Sequence, residues 1–157
     1  MATGMLHLHN LLRWVILILL LVSIIKAYAG WQSKKAFNAG DRKVWLFTMI
    51  ATHINFLVAL YLLFLGRFGI LTSDQDMGNV MKNRVLRFFW IEHPAFMLIA
   101  LILITLGAGM AKKPLPDTTK YKRAFWLFFV ALLMILVAIP WPGRELIGRP
   151  LFPGMQP

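Results

Sequence analysis

Four long apolar runs, separated by short polar and basic stretches, constrain this chain more than any other feature. They extend from about Leu11 to Ala29, Val44 to Leu65, Phe88 to Met110 and Ala124 to Ile139. A hydrocarbon core about 30 Å thick takes roughly 20 helical residues to cross. Inside it every backbone N–H and C=O needs a partner within the protein, which a helix supplies from its own segment. Each run is therefore predicted to be a membrane-spanning helix. Composition agrees: 59% of the 157 residues are hydrophobic, more apolar surface than the core of one soluble domain absorbs. The expected fold is an all-α, integral membrane four-helix bundle with up-down-up-down topology over residues 1–142. A Pro/Gly-rich tail with little regular structure follows over 143–157.

The net charge of +11 would point to nucleic acid if the basic residues formed one face, but they sit in short blocks between apolar runs. They are read as topology signals, and no nucleic-acid partner is expected. The first connection carries Lys34, Lys35, Arg42 and Lys43, and the third carries Lys112, Lys113, Lys120, Lys122 and Arg123. Basic segments are translocated poorly, so these two loops are expected on the cytoplasmic side and both termini on the outer side. In the second connection Arg67, Lys82, Arg84 and Arg87 are diluted by Asp74 and Asp76. Tryptophan favours the headgroup level. Trp31, Trp45 and Trp126 fall at the proposed inner ends of spans, and Trp14, Trp90 and Trp141 near outer ends. Ala27-Tyr28-Ala29 has the small residues of a signal-cleavage site, but only Arg13 is basic before it and Lys26 interrupts it, so the first helix is expected to be retained. The absence of cysteine excludes disulfides, thiolate metal sites and covalent c-type haem.

Function has to be read from polar residues that the membrane tolerates, because ionisable groups within a span are costly unless paired, solvated or liganded. His53 lies near the middle of the second run, and Glu92 and His93, followed by Pro94, lie in the outer part of the third. Arg13 and Lys26, near opposite ends of the first, can snorkel to water. His7 and His9 precede it, a two-residue pair too small for a strong metal site. At helical spacing His53 shares a stripe with Met49, Ile50, Phe56, Leu57 and Leu60, and His93 with Phe89, Trp90, Phe96, Met97 and Ala100. Imidazoles projecting from apolar and aromatic stripes suit haem, with Arg13, Arg84 and Arg87 available to meet propionates at the rim. The plainer reading gives each histidine one interhelical hydrogen bond. By helical rise His53 is roughly 18 Å from the outer end of its helix, His93 about 8 Å, and His9 roughly 11 Å above His93, so neither pairing of His93 is settled by spacing. Glu92 either passes a proton toward a quinol or pairs with Arg13, Arg87 or a histidine.

Several short stretches carry a resemblance: His9-Asn10-Leu11-Leu12-Arg13-Trp14, Thr48-Met49-Ile50-Ala51-Thr52-His53-Ile54, Glu92-His93 and Ile139-Pro140-Trp141-Pro142. The chain resembles, over most of its length, a group of short bacterial four-helix membrane proteins labelled cytochrome b. That resemblance implies haem b held by histidines at the positions of His9, His53 and His93, in a bacterial cytoplasmic (inner) membrane. The expectation is one or two b-type haems carrying electrons between a quinol or partner subunit and an acceptor. His53 and His93 are first-choice axial ligands with His9 in reserve; Arg13 and Arg87 meet propionates, and Glu92 handles a proton or orients a histidine. The competing class is a cofactor-free structural subunit of a larger membrane assembly, reached through other membrane subunits or self-association. A proton or ion carrier is a third class, without the broken-helix repeats of many transporters.

Overall fold

The computed structural model describes residues 2–152, so Pro153 to Pro157 of the expected tail lie outside the described residues. The described residues form helices and no strand. Helix α1 spans Ala2–Gln32 and α2 spans Ala39–Leu65; a short surface segment containing α3 (Met77–Lys82) follows. The third span is composite: α4 (Arg84–Arg87) runs through a π-helical turn at Phe88–Glu92 into α5 (His93–Gly109). Helix α6 is Asp117–Ala138. Four helical stretches, Thr3–Gln32, Ala39–Thr72, Arg84–Lys112 and Asp117–Ala138, are long and apolar enough to cross a membrane. The first three helical stretches run past their apolar runs at both ends and the fourth at its start, while the fourth ends at Ala138, one residue short of its run.

Each span packs on its neighbours in sequence, and α6 closes the ring against α1. The end of α1 meets the start of α2 through Lys26 and Asp41, and the start of α6 joins them through Tyr121. The first turns of α1 lie beside the start of α5, at the opposite end. Consecutive spans are thus antiparallel. One end gathers the basic connections, and the other gathers His9, His93 and the segment after α6; these are called here the basic end and the histidine end.

The core is a seam of small and bulky side chains in register. Leu20, Ile104, Phe128 and Ala131 are buried along it. A Cβ on Gly30 would stand 2.5 Å from the Tyr121 ring, and one on Gly107 would stand 2.6 Å from Phe128, so two glycines set the close approach of α6. The outer surface is hydrocarbon: Ile18, Ile25 and Leu57 are more than 60% exposed, which suits lipid contact.

At the basic end the sequence expectation changes in detail. Lys26 does not snorkel; its Nζ lies 2.7 Å from Asp41, which is buried and also receives a hydrogen bond from Tyr121 and faces Lys35 at 3.5 Å. Trp45 is no belt residue either. It is fully buried, ringed by Phe37, Tyr121 and Phe128, because α2 turns its Asp41-Trp45-Thr48 face inward. The same face carries the Ser23–Thr48 hydroxyl bond of 2.8 Å across α1 and α2.

Candidate functional site

The histidine end owes its shape to three prolines. Pro94 has no N–H and its ring crowds the carbonyl four residues back. The chain absorbs this by widening to a π-helical turn, in which the His93 N–H donates to Phe88 O. The wider turn also replaces the stripe expected from 3.6-residue spacing: the ring that His93 meets is Phe88, at a centroid distance of 5.8 Å, rather than Phe89 or Trp90 on its own periodicity. It brings together Arg87 and Glu92, five residues apart, whose Nε and Oε1 are 2.8 Å apart on the surface. Arg87 also donates to Met81 O at 3.1 Å.

Pro140 and Pro142 stop α6 by removing the two N–H groups that would have bonded Leu136 O and Ala138 O. Side chains take their place. Trp141 Nε1 donates to Leu136 O at 2.9 Å, Arg144 to Val137 O at 3.0 Å, and His93 Nδ1 to Ala138 O at 2.8 Å. A carbonyl only accepts, so Nδ1 of His93 carries a proton, and in the neutral ring Nε2 keeps the lone pair.

His9 faces His93 with ring centroids 6.2 Å apart and planes inclined by 70°. Asn55 of α2 is the polar neighbour of His9 from the next helix, and Arg13 lies one turn along α1. His9 Nδ1, Asn55 Oδ1 and Arg13 Nε are buried without a hydrogen-bond partner among the described residues. His7 Nδ1 is likewise buried and unbonded, but two residues along a helix it projects from a different face than His9. Buried polar atoms are rarely left so, and each calls for a partner, whether a neighbouring group, a water or a ligand.

The segment after α6 folds back as a cover. Arg13 Nη2 and Trp14 Nε1 both donate to Leu151 O, at 2.6 and 3.0 Å, and Phe152 stacks on Trp14 at 5.4 Å. Ile147 is buried, and Arg149 lies over Phe68 and Phe89 at 5.4 and 5.0 Å. Burial, with Arg67 nearby as a lesser cause, holds the Arg149 guanidinium below its ordinary value. As far as Phe152 the tail thus has no helix or strand, but Leu151, Phe152 and Arg149 fasten it to the rest of the protein.

Of the candidates from sequence, the fold brings together His9, His93 and Arg13. It sets His53 apart: the ring is exposed on the outside of α2, its Nδ1 donating to Met49 O at 2.8 Å. On a helix wheel His53 stands roughly 120° from the inward Thr48-Thr52-Asn55 face. Arg87 and Glu92 engage each other at the surface, and Arg84 is exposed. His9 comes level with His93 because α1 begins at Ala2, so that His9 lies about 10 Å into its helix and His93 about 14 Å into the composite span. Sequence reasoning missed Asn55, Arg144 and the Ala138 carbonyl. Asn55 was visible as an amide inside a span; the other two depend on how α6 ends.

Among the described residues no group of three or more His, Cys, Asp or Glu is placed to hold a metal ion. No family model, curated protein or solved structure matches this chain.

Proposed function

We propose that the chain is a membrane b-type cytochrome in which His9 and His93 are the axial ligands of one haem. The observation that carries this reading is the facing pair itself. An imidazole nitrogen lies about 2 Å from a metal it binds, so two imidazoles on opposite sides of one metal atom have centroids roughly 6 Å apart. The pair stands at 6.2 Å. The Nδ1–H bond of His93 to Ala138 O leaves Nε2 as the ligating atom, the outer-sphere arrangement common to metal-bound histidine. A bare divalent ion would want three or four protein ligands. Porphyrin brings four equatorial nitrogens, so two imidazoles suffice, and a two-histidine site favours haem over a free ion.

Haem would supply a one-electron carrier here. The protein's own residues hold and tune it: His93 is aligned by Ala138, Phe88 covers one side of its ring, and Asn55 stands beside His9. Arg144, held over Phe88 at 5.1 Å, is better placed than Arg87 to meet an anionic edge at this end. The job that follows is electron transfer between a quinol or a partner subunit and an acceptor, in a bacterial cytoplasmic membrane with the histidine end outward. The outward assignment rests on the basic connections collected at the other end.

The test is a dithionite-reduced minus air-oxidised absorption spectrum of the purified protein, with haem extracted and counted per chain. A b-type band near one haem per chain is expected, lost in His93→Ala without loss of membrane insertion. A blank spectrum from folded protein made with ample haem would overturn the reading and favour a structural subunit of a larger assembly.

A further inference from the structure

Negative charge is scarce at the basic end. The chain has six carboxylates. Asp74 and Asp76 in the connection after α2, Glu92 in the π-helical turn and Glu145 after α6 all lie at the histidine end. Asp41 and Asp117 lie at the basic end, and both are engaged. Asp41 is held by Lys26 and Lys35, and Asp117 by Lys120 at 3.3 Å and the Phe37 N–H at 3.0 Å. Lys122 and Arg123 are exposed and have no carboxylate partner among the described residues. Lys122 rests over the Trp31 ring at 5.6 Å.

Both cations border an open hollow of about 570 Å³ where the end of α5 meets the first turns of α6. It is lined by Met110, Thr119, Lys122, Arg123, Trp126 and Leu127. The lining is ordered by depth, because its five α6 residues fall on one face at helical spacing. Toward the bilayer centre a hydroxyl is followed by two cations and then, about 5 Å deeper, by an indole and a leucine. Trp126 is half exposed, with no acceptor for its N–H among the described residues. Beyond it Val130, Leu133 and Val137 continue the face as exposed hydrocarbon.

The occupant that complements this order carries negative charge at the level of the cations and hydrocarbon beneath. A second copy in the same orientation does not supply it, since at that depth it presents the same basic residues and the same two engaged carboxylates. The leaflet itself offers such an amphiphile all around the bundle, and basic pockets between spans suit anionic headgroups. We infer that the hollow binds a glycerophospholipid of net negative charge, with its phosphate at Lys122 and Arg123 and an acyl chain over Trp126 and Leu127. The inference stands apart from the cytochrome reading, because no residue of the histidine end takes part.

The experiment is native mass spectrometry of the full-length protein released from micelles. It is titrated with phosphatidylglycerol or with phosphatidylcholine of the same acyl chains, reading the Kd of the first lipid bound. Phosphatidylglycerol should bind about tenfold tighter. Lys122→Gln with Arg123→Gln should abolish that preference, and Lys122→Arg with Arg123→Lys, which keeps both charges, should retain it. Lys34→Gln with Lys43→Gln removes the same charge from exposed positions outside the hollow and should leave the preference within about twofold. Equal affinity for the two lipids would overturn the inference. Equal loss in the two glutamine pairs would do so too, by making the effect one of overall charge. Displacement of the lipid by inorganic phosphate, beyond that by sodium chloride of equal ionic strength, would assign the cations to a free anion instead. A dimer or a copurified protein that the Lys122→Gln, Arg123→Gln variant releases would give the face to a protein and equally overturn the assignment.

Discussion

At the basic end the ionisable and hydroxyl groups drawn into the bundle answer one another. Asp41 is matched by Lys26, Lys35 and Tyr121, and Ser23 by Thr48. At the histidine end, His9 Nδ1, Asn55 Oδ1 and Arg13 Nε are buried without partners among the described residues, beside a His93 whose Nδ1–H is committed to Ala138 O. The basic end has its own orphan, Trp45 Nε1, but that is a single neutral donor amid aromatic rings. Saturated polar clusters fasten helices together; unsaturated ones leave valence for a ligand. Under the proposed function the contrast reads as stability at one end and chemistry at the other.

The sharpest way to break this contrast is to exchange the losses. His9→Ala should abolish haem binding while leaving unfolding in mixed micelles within about 1 kcal/mol of the parent. Haem retained in His9→Ala would return the second ligand to His53. Asp41→Ala should do the reverse. It leaves Lys26 facing a buried void and should cost about 2–3 kcal/mol, below the loss for a fully buried pair because the Lys26 side chain is 34% exposed, with haem stoichiometry unchanged. Pro142→Ala restores an N–H that can compete with His93 for Ala138 O. Loosening the imidazole in this way should weaken haem affinity about tenfold, read by transfer of haem to an apo-acceptor, with little change in unfolding. The smallest effect is Tyr121→Phe, which removes one hydrogen bond to Asp41 and keeps the ring packing on Gly30. About 1 kcal/mol of stability should be lost in the same unfolding assay, and none of the haem.

Much of the fold was legible because membrane insertion reads local sums. Hydropathy over some twenty residues decides whether a segment crosses, and each of the four apolar runs is enclosed, to within one residue at the end of the fourth, by a helix long and apolar enough to do so. The histidines were legible as unusual groups, but their partners were not. Sequence spacing set His9 well above His93 because the first helix was started at its apolar run. The actual start at Ala2 brings the two rings to one depth.

What the amino-acid order determined by itself is the number of spans, the blocks of basic charge between them, the absence of thiol chemistry and the places where prolines deny the backbone a donor. Tertiary structure alone decided which imidazoles meet. That outcome depends on helix rotation, and a single residue turns a side chain by about 100°. The π-helical turn before Pro94 shifts the rings around His93, and the inward face of α2 takes Asn55 and turns His53 toward lipid. Hydropathy, being a sum over a window, carries no record of such rotations.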